Sequence, residues 1–126
     1  MFAGSEVSLI ELRDGQVRIR FAVAALRTSD LPIRGGGNER VFISGVEMVC
    51  VQTEVLQHSS DAVGALLEGQ VWLNGAMCAS LSVPCELEGD VSVSMVFANG
   101  ASCRLTGRGV SLQPSADSRR LEWLSC

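Results

Sequence analysis

The sequence predicts an all-β protein, an antiparallel β-sandwich or small β-barrel of about seven to eight strands built from hairpins. Three observations predict it. Asp14-Gly15, Asn74-Gly75 and Asn99-Gly100 each separate runs rich in β-branched and apolar residues, which is the strongest short-range hairpin signal. The apolar residues of those runs fall opposite one another when the hairpins are paired on paper. The chain has 126 residues, 47% of them apolar and 19% charged, enough for one domain with a filled core and too apolar for disorder. Residues 1–126 therefore read as a single β domain with strands near 5–13, 16–27, 41–57, 65–73, 76–83, 90–98 and 101–113.

The first hairpin closes through a two-residue type I′ loop at Asp14-Gly15. That register sets Leu12 against Val17, Ile10 against Ile19 and Glu11 against Arg18, so apolar meets apolar and opposite charges pair. Between the second and third strands, residues 28–40 form a glycine-rich loop. In it Gly35, Gly36 and Gly37 lie between Arg34 and Arg40, an arrangement that could cradle an anion. Nucleotide-binding glycine loops sit between a strand and a helix at fixed spacing, which is not the case here, so a plain hairpin loop is the simpler reading. The third run, VFISGVEMVCVQTEVL, changes apolar parity at Gly45, which predicts a bulge or bend in a long central strand.

The octets VWLNGAMC and VFANGASC, ending at Cys78 and Cys103, look like a repeat. A two-residue loop at Asn99-Gly100 would put Met95 against Arg104. A three-residue loop, Ala98-Asn99-Gly100, pairs Met95 with Cys103, Val93 with Leu105 and Ser94 with Arg104 instead. The same construction at Leu73-Asn74-Gly75 pairs Val71 with Met77 and Leu67 with Leu81. Both turns are then expected to carry a glycine bulge, with Val71 inward, Val96 outward, Cys103 inward and Cys78 outward. The two cysteines would not share a metal. The tail, residues 114–126, reads as a short helix capped by Asp117 or Ser118, or as a closing strand.

All ten cationic residues are arginine, the formal net charge is −4 and there is no tyrosine, a balance that disfavours nucleic-acid binding. No apolar run approaches the roughly 20 residues of a membrane span, and the amino terminus shows no basic and apolar leader. Five cysteines without a CxxC pair are expected to be reduced thiols in the cytoplasm. The single histidine, His58, stands in QHSSD, where neighbours in sequence cannot converge as a catalytic triad does. No metal site, cofactor or catalytic residue set is visible. Trp72, on the outward face, and Trp123, in the tail, are the candidate interface anchors. The leading expectation is a non-catalytic interaction module that binds a protein partner or self-associates. A β-barrel carrying a small apolar ligand, with Ala25, Gly69 and Ala79 as small inward residues, is the alternative, and an enzyme of unknown class comes third.

Overall fold

In the computed structural model, which describes residues 4–27, 40–59, 61–78 and 85–120, the chain forms eight antiparallel strands. They are β1 (Glu6–Arg13), β2 (Gln16–Arg27), β3 (Arg40–Val51), β4 (Glu54–His58), β5 (Gly64–Leu73), β6 (Ala76–Met77), β7 (Cys85–Phe97) and β8 (Ser102–Arg120). All belong to one sheet in the order β1-β2-β3-β8-β7-β5-β6, with β4 paired to β8. β1 also pairs with β5, through Glu6↔Ala65 and Val7↔Gly64, so the hydrogen bonds run in a ring, the arrangement of a small barrel. No helix occurs among the described residues, and so none long and apolar enough to cross a membrane.

Period-two alternation places the core. Val17, Ile19 and Phe21 of β2, Val46, Met48 and Cys50 of β3, and Val91, Val93, Met95 and Phe97 of β7 all point inward and are buried. In β8 the inward parity is odd at Cys103 and Leu105, then even at Val110 and Leu112. The switch is a bulge: Val91 faces Gly107 but Glu88 faces Gly109, leaving Gly89-Asp90 opposite the single residue Arg108. Asn74 secures it, its side-chain Oδ1 accepting from the Asp90 N–H at 2.9 Å and its own N–H donating to the Asp90 carbonyl at 2.7 Å.

The first hairpin has the expected register, Ile10↔Ile19, Glu11↔Arg18 and Leu12↔Val17, with positive φ at both Asp14 and Gly15 as type I′ requires. The β7–β8 hairpin also matches: Met95 faces Cys103, Val93 faces Leu105 and Ser94 faces Arg104. Gly100 has φ 89°, and both Phe97 bonds close around the loop, N–H to the Ala101 carbonyl at 2.9 Å and carbonyl from the Gly100 N–H at 3.0 Å.

The β5–β6 turn differs from the expected bulged loop. Leu73 pairs with Ala76 and Trp72 with Met77, around a two-residue loop in which Asn74 (φ 51°) and Gly75 (φ 84°) are both left-handed. Alternation could not choose the register here, because Ala76 and Met77 are both exposed and carry no burial pattern. The shift also reverses the expectation for Cys78, whose N–H donates to the Val71 carbonyl and which packs, half-buried, against the core. Val71 inward and Val96 outward hold as expected, at 0% and 38% exposure.

The long third strand is two. Gly45 (φ 71°) marks the expected irregularity: Val46 faces Pro114 while Ser44 faces Arg119, and Pro114, lacking an N–H, sits where the ladder slips. A second break, at Gln52 (φ 48°), separates β3 from β4. Thr53 holds that corner, its hydroxyl donating to the Cys50 carbonyl at 2.9 Å and its N–H to the Gly15 carbonyl at 2.8 Å. Over 114–120, the described part of the tail, the helical reading gives way to a strand. Beyond the slip, Arg119 and Arg120 pair with Ser44 and Ile43, so β8 continues through the positions proposed as helix caps. The strand expected over 76–83 is seen as β6 alone, residues 79–84 lying outside the described part of the chain.

Candidate functional site

The ring turns one face of each strand inward and leaves the other to carry chemistry. On β5, β7, β8 and β4 the outward residues form two rows. One runs Trp72, Ser92, Thr106, Glu54; the next runs Gln70, Ser94, Arg104, Gln57. The residues between them, Val71, Val93 and Leu105, are buried beneath. At the β4 bulge between Val55 and Gln57, Leu56 is left 58% exposed. The half-buried Trp72 on one side and Leu56 on the other wall a groove of about 250 Å³, with Ser92, Ser94, Arg104 and Thr106 on its floor.

Among the described residues, Arg104 is the only charged one lining this groove. Arg13, Arg18, Arg20 and Arg108 each lie within 4.0 Å of a carboxylate, on Glu11, Glu47, Glu47 and Asp90 respectively, whereas Arg104 has no ion-pair partner among the described residues. The strand backbones under it are paired on both sides, β7 with β5 and β8, and β8 with β7 and β4. The floor therefore presents side-chain groups, a guanidinium and three hydroxyls, to a ligand.

A second groove of about 420 Å³ lies on the outside of β3, β8 and the start of β7, between Val49 and Val51 on one side and Glu86 and Glu88 on the other. Its cation, Arg108, is already held by Asp90 at 2.7 Å. Glu86 and Glu88 leave that groove with an excess of negative charge. On the same outer face, further along β3, Glu47 sits between Arg18 at 2.8 Å and Arg20 at 3.7 Å, a surface network of small energetic weight.

Cys50 and Cys103 are interior groups. Burial pushes Cys50 up to about 12, helped by the charge that Cys103 would carry, and burial alone pushes Cys103 up to about 11. Cys85 is also raised by burial, with a backbone hydrogen bond from Leu112 opposing and Cys78 adding to the rise. Neutral thiols of this kind are poor nucleophiles. Cys50, Cys78, Cys85 and Cys103 are all free, and no cluster of metal-ligating side chains occurs among the described residues.

Of the residues singled out in the sequence, Trp72 takes its place in the groove. His58 is exposed, at the end of β4 and not in a loop. Arg34, Gly35, Gly36, Gly37 and Trp123 lie outside the described residues, and Arg40 is described only as the first backbone position of β3. The partners of Trp72 were not singled out. Ser92, Ser94, Arg104 and Thr106 alternate with buried residues and carry a period-two signal, but Leu56 joins them only through the β4–β8 pairing, which no local pattern announces. Comparison with known proteins finds no matching family model, curated relative or solved structure, and the meaning of this face rests on its own geometry.

Proposed function

We propose that the protein is a non-catalytic interaction module whose contact surface is the outer face of β5, β7, β8 and β4. The observation that carries this reading is the half-buried Trp72 sharing a groove with Arg104, which has no ion-pair partner among the described residues, on a floor whose backbone is already hydrogen-bonded. Tryptophan and arginine are the residue types that most often dominate binding energy at an interface, and they do so where neighbouring groups exclude water. The polar lining of the groove among the described residues is hydroxyls and a guanidinium, and the carboxylate of Glu54, across from Thr106 on β4, lies outside it.

Self-association along open sheet edges is part of the proposal, because β4 pairs with β8 alone among the described residues and presents a free edge. Light scattering over a concentration series tests it: mass rising toward a dimer is expected, and a strict monomer at millimolar concentration removes self-association. A panel of general hydrolase substrates tests the non-catalytic half. Turnover that is lost in His58→Ala would overturn it.

A further inference from the structure

We infer that the groove between Trp72 and Leu56 binds a saccharide that carries a carboxylate, with the sugar ring against the Trp72 indole and the carboxylate on Arg104. The inference rests on the proposal that this face is the contact surface, and adds the class of ligand.

Charge decides the first part. Arg13, Arg18, Arg20 and Arg108 each have a carboxylate within 4.0 Å, while Arg104 lies in the groove with none among the described residues. A guanidinium presents a planar fork of donors that matches a carboxylate in two parallel hydrogen bonds. A polyanion such as a nucleic acid fits poorly, because one groove cation on a chain of formal net charge −4 cannot offset a phosphate backbone.

The floor decides the second part. Ser92, Ser94 and Thr106 each supply one hydroxyl donor and two acceptor lone pairs, which suits a ligand that is itself rich in hydroxyls. An extended peptide is usually recognised through backbone hydrogen bonds at a sheet edge. Here the groove lies across the face, where β7 and β8 have strands on both sides and no ladder positions to offer. The indole gives a flat apolar surface for the C–H face of a pyranose ring, next to polar groups for its rim. At about 250 Å³ the groove falls below the roughly 300–1,000 Å³ of sites that take drug-sized ligands, so one or two rings are the expected occupant.

The test is an amide-shift titration of the full-length ¹⁵N-labelled chain with tri-galacturonate, its complete methyl ester, maltotriose and a hexaglutamate peptide. Tri-galacturonate is expected to shift Ser92, Ser94, Arg104 and Thr106, and the ester to bind at least about tenfold more weakly. Arg104→Gln should remove the preference for acid over ester, leaving ester binding in place; Arg104→Lys should keep part of it. Trp72→Ala should weaken acid and ester together by about tenfold. Equal binding of acid and ester overturns the role of Arg104. Hexaglutamate shifting these four amides as strongly as the saccharide overturns the ligand class and leaves the contact face standing. Saccharide shifts confined to other strands, or no shift with any probe, overturn the inference and the contact face together.

Discussion

Cys50 and Cys103 occupy the core as small apolar side chains, and their chemistry follows from that position. Burial holds both as neutral thiols, at about 12 and about 11 against an ordinary thiol value of 9.0. Below pH 9 both folded and unfolded chains keep these protons, and the stability tied to them is fully present. As pH rises from 9 toward 11 or 12 the unfolded chain loses the protons first, so folding weakens by on the order of 1 kcal/mol per thiol per pH unit. Denaturant titrations at pH 8 through 10.5 should show the decline, and it should flatten in the Cys50→Ala, Cys103→Ala double variant whatever that variant's stability at pH 8. An equally steep decline in both proteins would assign the effect to other groups. In the native protein at neutral pH the same two thiols should react with an alkylating reagent last, after Cys78 and Cys85, and all should react once the chain is unfolded.

At the scale of strands and turns, two Asn-Gly loops twenty-five residues apart adopt different geometries because their strands impose different demands. At Asn99-Gly100 both flanking strands alternate buried and exposed residues, so a slip of one would turn Met95 and Cys103 out of the core. The three-residue loop is the one that keeps them in. At Asn74-Gly75 the second strand is two exposed residues at an edge, and Asn74 is placed instead by its hydrogen bonds to Asp90. An added Cβ at Gly100 meets nothing within 4 Å, so Gly100→Ala should cost only the left-handed backbone conformation, about 1 kcal/mol. Gly107 makes the opposite case. A Cβ there would lie 2.8 Å from the Val51 carbonyl oxygen, where β3 breaks into β4, and backbone must move to admit it. Gly107→Ala should therefore cost about 1–3 kcal/mol, as overpacking does. Both values can be read from urea unfolding midpoints, and a smaller loss at Gly107 than at Gly100 would contradict the account of the corner.

The ring of hydrogen bonds determines how the whole molecule opens. β7 and β8 lie between neighbours on both sides, with Val93, Met95, Leu105 and Leu112 packed beneath. β4 is bonded on one side only among the described residues, its outer residues are exposed, and β6 is two residues long. Native-state hydrogen exchange should find the slowest amides in the middle of β7 and β8 and much faster exchange in β4 and β6. Uniform protection across all eight strands would mean that the sheet opens only as a unit. The β1–β5 seam, two residue pairs long, should exchange ahead of the β2–β3 and β7–β8 ladders that it joins.

The all-β class, two hairpin registers, the irregularity at Gly45 and the inward placement of Cys103 and Val71 are legible in the sequence, because each follows from short-range turn chemistry and period-two alternation. The sequence could not place the break at Gln52, which is stabilised by Thr53 bonding to Gly15 from a distant turn. Nor could it choose between strand and helix over 114–120, where the pairing of Arg119 and Arg120 with β3 decides for strand. Trp72 was legible as an outward aromatic, while its groove was not. Arg104 follows Trp72 by 32 residues and Leu56 precedes it by 16, and only strand pairing brings them onto one face. Local alternation sorts residues into inside and outside; which outside residues become neighbours is decided by the order of strands in the sheet, which rests on pairings between residues far apart in sequence.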